Sequence, residues 1–219
     1  LSPQDLKDQH ILITAGPTRE TIDAARFLSN RSSGRMGYAL ASAAYRRGAE
    51  VTLISGPTSL SVPYGVNYQQ VETAQEMYDQ VFRLLQQATI VIKAAAVSDF
   101  RAKSKVDYKV KKNEAKLVLD LEANPDILAD IGRKRTSTTP LLVGFCAETD
   151  NLLEEAQRKL TEKRVDLICA NDISGNDTGF GVDTNRVSLV DNNEQLQLPL
   201  VSKEETADLI LDRVVELLG

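Results

Sequence analysis

Short apolar runs alternate with amphipathic stretches along most of this chain of 219 residues. The apolar runs predict strands at 10–14, 51–54, 67–71, 90–92, 141–145 and 165–170, and the amphipathic stretches predict helices at 37–47, 73–88, 125–135, 151–164 and 202–218. Strands that are joined through helices pair in parallel, because the crossover returns the chain to the edge at which it started. The sequence therefore predicts an α/β protein, a Rossmann-like parallel sheet with helices on both faces.

Two helix starts can be predicted from single residues. Pro125 suits the first position of a helix, and Asn124 before it suits the N-cap. Ser202, followed three residues later by Glu205, forms a capping box in front of the last helix.

Two segments have the pattern of antiparallel hairpins. Residues 106–121 alternate apolar and polar side chains on both sides of Asn113-Glu114-Ala115, and residues 186–190 and 195–198 flank a second turn. The first hairpin stands where a crossover helix is expected. We therefore predict an inserted β-hairpin at about 103–121, which serves as a flap or dimerisation arm.

The connection between the first strand and the first helix, residues 15–37, is far longer than the roughly 2–6 residues of a plain βα turn. It ends in Ser32-Ser33-Gly34 and carries Arg19, Arg26, Arg31 and Arg35. Ligands of α/β proteins bind outside the carboxyl ends of strands, and a helix N-terminus beside guanidinium groups attracts anions. The loop predicts a site for phosphate or carboxylate; a surface loop with four solvated arginines is the alternative.

Length and composition limit the classes of protein to which the chain can belong. The length suits one domain, which we place at 10–219 after a polar linker at 1–9. A net charge of −5 and a pI near 5.1 argue against a protein that coats nucleic acid. Because no apolar run approaches the ~20 residues that cross a bilayer and no signal-peptide pattern opens the chain, we expect no membrane partner and a cytoplasmic location.

Cysteine and histidine are too few for zinc or triad chemistry. Cys146 and Cys169 lie in apolar runs, which predicts buried, reduced thiols. The sequence has no CxxC and no Cys/His cluster, so a structural zinc site is not expected. His10 is the only histidine and opens the first strand, where we expect a structural role.

Two familiar nucleotide-binding signatures are missing. There is no Walker P-loop, and Gly34 to Gly37 supplies only a GxxG fragment of the dinucleotide fingerprint. Asp99 follows a strand and the small residues 94–96, so its carboxylate can hold Mg²⁺ or a ribose hydroxyl; a turn or helix cap is the alternative. By themselves, the lysines at 109, 111 and 112 are typical of a solvated strand face. Lys159 and Lys163 lie on one helix face, and the flanking Glu155 and Glu162 make surface ion pairs the alternative there.

Seven segments together resemble one known family. ITAGPTRETID, RFLSNRSSGRMG, AAAVSDFRA, KVKK, NPDIL, GFCAET and DLICANDIS are similar to phosphopantothenoylcysteine synthetase, an enzyme of coenzyme A biosynthesis. In most bacteria this enzyme is the C-terminal half of a bifunctional flavoprotein. The resemblance covers nearly the whole chain, and it implies that the full-length protein can carry a flavin-dependent decarboxylase before the polar start. Since that half is absent, we expect neither FMN nor decarboxylation here.

The resemblance implies a two-step ligation. The carboxylate of phosphopantothenate attacks the α-phosphate of CTP, which gives an acyl-cytidylate and pyrophosphate, and the amine of L-cysteine then displaces CMP. A divalent cation, Mg²⁺, assists the first step. The resemblance also implies a homodimer that binds phosphopantothenate across the subunit boundary.

The resemblance assigns roles to residues that match the family's motifs. Asn30 contacts the acyl-cytidylate, Arg26 assists conversion of this intermediate, and Lys109 on the flap assists its formation. Asp99 contacts the nucleotide or its cation, and Ala95 and Ala96 line the pantothenate side. The remaining nucleotide-binding positions are Pro125, Asp126, Ile127 and Leu128, which frame the base through their backbone, Phe145, which packs on the nucleotide, and Lys159 and Lys163, which hold its phosphates.

Lys93 and Cys146 depart from the family pattern, since a small or apolar residue is expected at position 93. Two other functions stay open. A nicotinamide-dependent reductase would use a Tyr-x-x-x-Lys pair, and Tyr108 to Lys112 has that spacing, although on a predicted strand pair. A nucleotide-binding module without catalysis is the other alternative.

Overall fold

The structure, a computed structural model, describes residues 2–111, 118–148, 150–173 and 184–219. The strands are β1 (His10–Ala15), β2 (Arg19–Asp23), β3 (Arg26–Ser29), β4 (Glu50–Ser55), β5 (Asn67–Gln70), β6 (Ile90–Lys93), β7 (Phe100–Ala102), β8 (Leu121–Ala123), β9 (Leu141–Glu148), β10 (Leu167–Asp172), β11 (Thr184–Asn185), β12 (Val187–Val190), β13 (Gln195–Gln197) and β14 (Val201–Ser202). The helices are α1 (Arg35–Arg46), α2 (Ala74–Leu84), α3 (Ile127–Lys134), α4 (Leu152–Glu162) and α5 (Lys203–Leu218), and α2 continues into a 3₁₀ turn at Leu85–Gln87.

Eight strands form one central sheet in the order β13-β12-β10-β9-β6-β1-β4-β5. The strands from β10 to β5 pair in parallel, whereas β12 and β13 add an antiparallel edge. The parallel part has the strand order of a Rossmann fold, since β1 lies inside the sheet and the chain winds first to one side of it and then to the other. The predicted fold class is confirmed.

Helices cover both faces of the sheet because the central strands are apolar on both sides. Ile11 and Ile13 of β1 pack in one core and Leu12 packs in the other. Helices α1 and α5 cover the first core, and α2, α3 and α4 cover the second. Each fully buried side chain of this size contributes about 1.5–3 kcal/mol relative to exposure, so the period-two pattern of burial determines the strand register.

Among the described residues, none of the helices combines the length and the apolar character that crossing a bilayer requires. Cys146 and Cys169 are buried and form no disulfide, as the apolar runs around them predict.

The predicted C-terminal elements agree with the structure. The Ser202 hydroxyl accepts a hydrogen bond from Glu205 N at 3.1 Å, and the Glu205 carboxylate accepts one from Ser202 N at 3.1 Å. Strands β12 and β13 form the antiparallel hairpin predicted at 186–198.

The predicted loop at 15–37 contains an antiparallel ribbon. Strands β2 and β3 pair from Arg19↔Ser29 onward, and α1 begins at Arg35, two residues before its predicted start. The sequence did not indicate the ribbon because two of its buried side chains are polar: Glu20 accepts a hydrogen bond from Ala74 N at 2.9 Å, and Asp23 accepts one from Ala25 N.

Among the described residues, the hairpin predicted at about 103–121 is paired at its base. Strand β7 pairs with β8, which begins at Leu121, and Lys103 N donates to Asp120 O at 2.9 Å, whereas the described residues 106–111 and 118–120 belong to no strand. The predicted turn at 113–115 lies outside the described residues. Contacts with the ribbon hold the segment instead, since Val106 N donates to Ile22 O at 3.4 Å. Period-two alternation cannot distinguish a paired strand from an extended segment that is held in this way.

Helix α3 begins two residues later than predicted. Its N-cap is Asp126, whose carboxylate accepts a hydrogen bond from Ala129 N at 3.1 Å. Asn124, the predicted cap, is engaged by the segment after β6, because its side chain donates to Ser98 O at 2.9 Å and its backbone N donates to Asp99 O at 2.8 Å.

Part of the predicted linker packs on the domain. Leu6 is buried, and Asp5 accepts two hydrogen bonds from the buried guanidinium of Arg47, which raises the pKa of Arg47 and lowers that of Asp5. A connection from this segment to a preceding domain stays a prediction.

Candidate active site

The carboxyl ends of β1 and β6 meet where the winding of the chain reverses. From β1 the chain runs to β4 and β5 on one side, and it returns to β6 on the other side. Thr14 and Lys93 are register partners at this point, and Ala94 N donates to Thr14 O at 3.2 Å. Because the connections leave in opposite directions, a crevice opens between them, which is the usual ligand position in an open α/β sheet.

A cleft with a volume of about 330 Å³ lies at this edge. One wall is formed by Asn30 and residues 32–37, the floor by residues 93–97 and Asp99, and the other wall by residues 145–147 with Asn171, Ile173, Asn185 and Lys203. The first turn of α1 lies in the wall, so its N-terminus contributes the positive end of a helix dipole. The walls suit an anionic ligand.

Asn30 is fixed to the floor of the cleft by its own side chain. Its Nδ2 donates to Ala96 O at 2.9 Å and to Val97 O at 3.1 Å. The preceding residue is also held, since the Ser29 hydroxyl donates to Thr18 O at 2.8 Å. Both hydrogens of the Asn30 amide are therefore engaged, and the side chain presents its oxygen, Oδ1, as an acceptor.

Two Gly-Pro-Thr turns, which follow β1 and β4, pack against each other beside the cleft. Gly56 N donates to Ala15 O at 3.0 Å, and the carbonyl oxygen of Pro17 occupies the space that a Cβ at Gly56 would need. Gly34, the N-cap of α1, has φ +81 and lies against Gly16, so glycine is required there both for the backbone conformation and for the close approach. These contacts bring the start of α1 directly over the end of β1.

Arg26 and Lys109 do not line the cleft. Arg26 donates to Asp23 Oδ2 at 2.9 Å and to Val110 O at 3.2 Å, and Asp23 also accepts from Val110 N. The hydrogen bond from Ala25 N, and after it that from Val110 N, lower the pKa of Asp23. Lys109 is exposed on the segment that these bonds hold. The structure thus brings Arg26 and Lys109 near each other, on the ribbon side of the molecule.

The lysines assigned to nucleotide phosphates are both paired with carboxylates. Lys163 Nζ lies 2.8 Å from Asp126 Oδ2, and Lys159 binds Glu148. The partner lysine lowers the pKa of Asp126 despite its partial burial. Ile127 and Leu128 are buried in the core under α3, so only their backbone is available to a ligand.

Lys93 is a cleft residue to which sequence analysis assigned no role. It ends β6 and lies on the floor with Asp99, and Cys146 of the wall also lines the cleft. Burial, and next the charge of Lys163, lower the pKa of Lys93 to about 8, and burial raises the pKa of Cys146 to about 11. Its position at the carboxyl end of a central strand was the signal that could have drawn attention to it.

Two further residues of the cleft carry unused acceptors. Asn171 Oδ1 and Asn185 Oδ1 are buried and accept no hydrogen bond from any described residue. Asn185 is 3% exposed, and its Nδ2 lies 3.6 Å from Met36 Sδ. Buried amide oxygens without a partner cost free energy, so they are suited to accept hydrogen bonds from N–H or O–H groups of a ligand.

A bound divalent cation would find one carboxylate in the cleft. Asp99 is the only acidic side chain among the described lining residues, and the described chain contains no cluster of three or more acidic, histidine or cysteine ligands. Such a site is not suited to a metal ion that protein side chains alone coordinate. It is suited to Mg²⁺ that binds together with a phosphate ligand and keeps several water ligands.

Comparison with known proteins identifies the family. The model described as DNA/pantothenate metabolism flavoprotein C-terminal domain matches residues 6–218. The chain belongs to this family. The coenzyme A biosynthesis bifunctional protein CoaBC of Escherichia coli (strain K12) is 46% identical over 214 residues, which are 96% of this chain and 52% of that protein.

Solved structures support the same assignment for this flavoprotein C-terminal domain. A crystal structure of the C-terminal domain of a CoaBC protein matches with a TM-score of 0.84 at 42% identity, covering 98% of each chain. A Cab2 mutant in complex with phosphopantothenate-cysteine matches with a TM-score of 0.78 at 18% identity over 96% of this chain and 86% of that one, which shows the fold alone. The chain spans about half the length of the curated relatives it matches.

In this flavoprotein C-terminal domain, the cleft brings together five of the predicted site residues: Asn30, Ala95, Ala96, Asp99 and Phe145. Pro125, Asp126, Lys159 and Lys163 lie beyond its floor, on the side of α3 and α4, and the charges of the last three reach Lys93. Lys93 thus lies between two groups of predicted site residues, one in the cleft and one behind its floor. Arg26 and Lys109 form the third group, on the ribbon side.

Proposed function

We propose that this chain is a phosphopantothenate–cysteine ligase of coenzyme A biosynthesis that works through an acyl-cytidylate formed from CTP. Membership of the family supports this proposal, as do the name of the bifunctional CoaBC relatives and the ligand of the Cab2 complex. The observation that carries it is the position of Asn30, held on two carbonyls at the switch point of the sheet.

In the first step, the carboxylate of phosphopantothenate displaces pyrophosphate from the α-phosphate of CTP. The anions need positive charge, which the N-terminus of α1 and the lysines near the floor supply. Lys109 assists this step when the segment at 103–121 covers the cleft. Ala95 and Ala96 have small side chains, which let the pantothenate chain approach the floor.

In the second step, the amine of L-cysteine attacks the acyl carbon and CMP leaves. Both hydrogens of the Asn30 amide are donated to backbone carbonyls, so only Oδ1 is left for a ligand. This oxygen would accept a hydrogen bond from the amine. An amine held by one N–H keeps its lone pair available for attack. Arg26 assists this conversion, and the walls of the cleft keep water from the mixed anhydride.

Mg²⁺ bound to the triphosphate would be held by Asp99 and would neutralise charge that develops on the leaving pyrophosphate. Phe145 would pack against the nucleotide, and the backbone from Pro125 to Leu128 would frame its base. Lys159 and Lys163 would bind phosphates once a ligand competes with their present partners, Glu148 and Asp126.

A homodimer, fused in the full-length protein to a flavin-dependent decarboxylase, is part of the proposal. Phe27 of the ribbon, Phe100 of β7 and Tyr108 between β7 and β8 are about half or more exposed, and they suit an interface between two copies. In a dimer, phosphopantothenate that binds across the subunit boundary would come within reach of Arg26. Cytoplasmic location stays a prediction, consistent with two buried thiols.

Pyrophosphate release tests the proposal. We expect release when phosphopantothenate and CTP are present without cysteine, slower release with ATP, and phosphopantothenoylcysteine only after cysteine is added. Equal rates with the two nucleotides would contradict the choice of CTP and leave the ligase intact. A folded protein that releases no pyrophosphate with either nucleotide would contradict the ligase itself.

The variant Lys109→Gln should slow pyrophosphate release by about tenfold or more, because a cation that stabilises charge in the first step is removed. Single-turnover release of pyrophosphate measures this step. Lys111→Gln removes a lysine that is also exposed in the same segment and serves as the control. Normal release combined with blocked cysteine transfer would place Lys109 in the second step and contradict the assignment.

The reductase alternative gains no support. Tyr108 is 64% exposed and does not line the cleft, and Lys112 lies outside the described residues. A module without catalysis would bind CTP and release no pyrophosphate, so the same assay separates it from the ligase.

A further inference from the structure

Lys93 emerges on the face of the sheet that α3 and α4 cover. Val91 packs in the core of that face, whereas Ile90 and Ile92 pack in the opposite core. Strand side chains alternate, so Lys93 points to the same side as Val91. It also lines the cleft beside Asp99. Its ammonium group therefore lies between the cleft and the residues assigned to the nucleotide.

The carboxylates around Lys93 compensate its charge only in part. The charged groups that act on it are Lys159 and Lys163 of α4, Asp126 at the start of α3, and Asp99 after β6. Lys163 is already paired with Asp126, and Lys159 is paired with Glu148. Within the part of the chain that the structure describes, the ammonium group of Lys93 forms no hydrogen bond and no ion pair.

An anion is the ligand that this arrangement favours. Removing an ammonium group from water costs free energy unless a negative charge or hydrogen-bond acceptors replace the water. Lysine acts as a point charge and suits phosphate, and a triphosphate brings more negative charge than a single carboxylate. Lys93 points toward α3 and α4 rather than toward Arg26 and Lys109. We therefore expect its anionic ligand to be the nucleotide rather than phosphopantothenate.

We infer that Lys93 binds a phosphate of the nucleotide and thereby sets the affinity of the site for nucleoside triphosphate. The inference rests on the proposed function and adds a residue to it. Among the described residues, Lys93 adds a cation beside Lys159 and Lys163, which are both paired.

Steady-state kinetics of Lys93→Met and Lys93→Arg test the inference. Methionine keeps the length of the side chain and removes the charge, and arginine keeps the charge. We expect Lys93→Met to raise the KM for CTP by about tenfold or more, because a charge-assisted hydrogen bond to phosphate is lost, and to leave the KM values for phosphopantothenate and cysteine unchanged. Lys93→Arg should restore most of the affinity. Lys7→Met changes an exposed lysine that is distant from Lys93 in the sequence, and it serves as the control.

The unaltered protein provides a second measurement that does not depend on the folding of a variant. Because Lys93 has a pKa near 8 before ligand binds, its charge is present below that pH and is lost above it. The binding constant for CTP, measured by calorimetry between about pH 7 and 9.5, should therefore weaken above about pH 8, whereas that for cytidine, which has no phosphate, should not. Cys146, with a pKa raised to about 11, does not titrate in this range.

Three results would overturn the inference: an unchanged KM for CTP in a folded Lys93→Met, an equal loss for cytidine and CTP, or CTP binding that is flat across pH 8. If the unaltered protein binds CTP and forms no product, the proposed function is wrong. The calorimetric comparison of CTP with cytidine would still test Lys93 as a phosphate ligand.

Discussion

Replacement of Asn30 by aspartate is expected to reduce product formation by a factor of ~10²–10³, with acyl-cytidylate accumulating if the first step survives. The carboxylate has the size of the amide but no hydrogen to donate, so the bonds to Ala96 O at 2.9 Å and Val97 O at 3.1 Å are lost. It also places a negative charge beside those two carbonyl oxygens and the acyl phosphate. Quenched-flow sampling followed by chromatography would measure intermediate and product together.

Asn192→Asp makes the same chemical change at an exposed position in the turn between β12 and β13, and its activity should equal that of the parent. Thermal unfolding of both variants separates a catalytic loss from a loss of structure. Product formed at the normal rate by a folded Asn30→Asp would remove Asn30 from the mechanism.

The variant Gly56→Ala should lower the free energy of unfolding by about 3 kcal/mol or more. A methyl group at this position meets the carbonyl oxygen of Pro17, which belongs to the backbone and cannot rotate away. The two Gly-Pro-Thr turns would have to separate, and the hydrogen bond from Gly56 N to Ala15 O at 3.0 Å would weaken. Denaturant unfolding followed by circular dichroism measures the change.

Ser61→Ala, at an exposed residue of the same connection, adds no clash and should leave the unfolding midpoint unchanged. A Gly56→Ala variant as stable as the parent would mean that the contact between the two turns is not needed for folding.

The sheet could be predicted from sequence because the apolar pattern that indicates a buried strand is local. Ile11 and Ile13 face one core and Leu12 the other, and a run that is apolar on both sides has few alternatives to a central strand. The capping box of Ser202 and Glu205 needs only four residues, so its geometry follows from the sequence. The ribbon could not be predicted in the same way, since Glu20 and Asp23 are buried by partners that are not adjacent in sequence.

The candidate site was predictable in part. Motifs at the ends of β1 and β6 pointed to Asn30, Ala95, Ala96 and Asp99, and the structure places all four in one cleft. Their roles stay predictions. Neither the separation of Arg26 and Lys109 from this cleft nor the unused oxygens of Asn171 and Asn185 can be derived from spacing, because each depends on which segments pack together.

The sequence by itself determined that strands and helices alternate, where the switch point of the sheet would fall, and to which family the chain belongs. The tertiary structure alone decided the charge balance of the site. Among the described residues, Lys159 and Lys163 are paired and the ammonium group of Lys93 is not, because α3, α4, β6 and β9 bring together side chains from positions 93, 126, 148, 159 and 163. Electrostatic interactions depend on distance through space and on burial, and neither can be read along the chain.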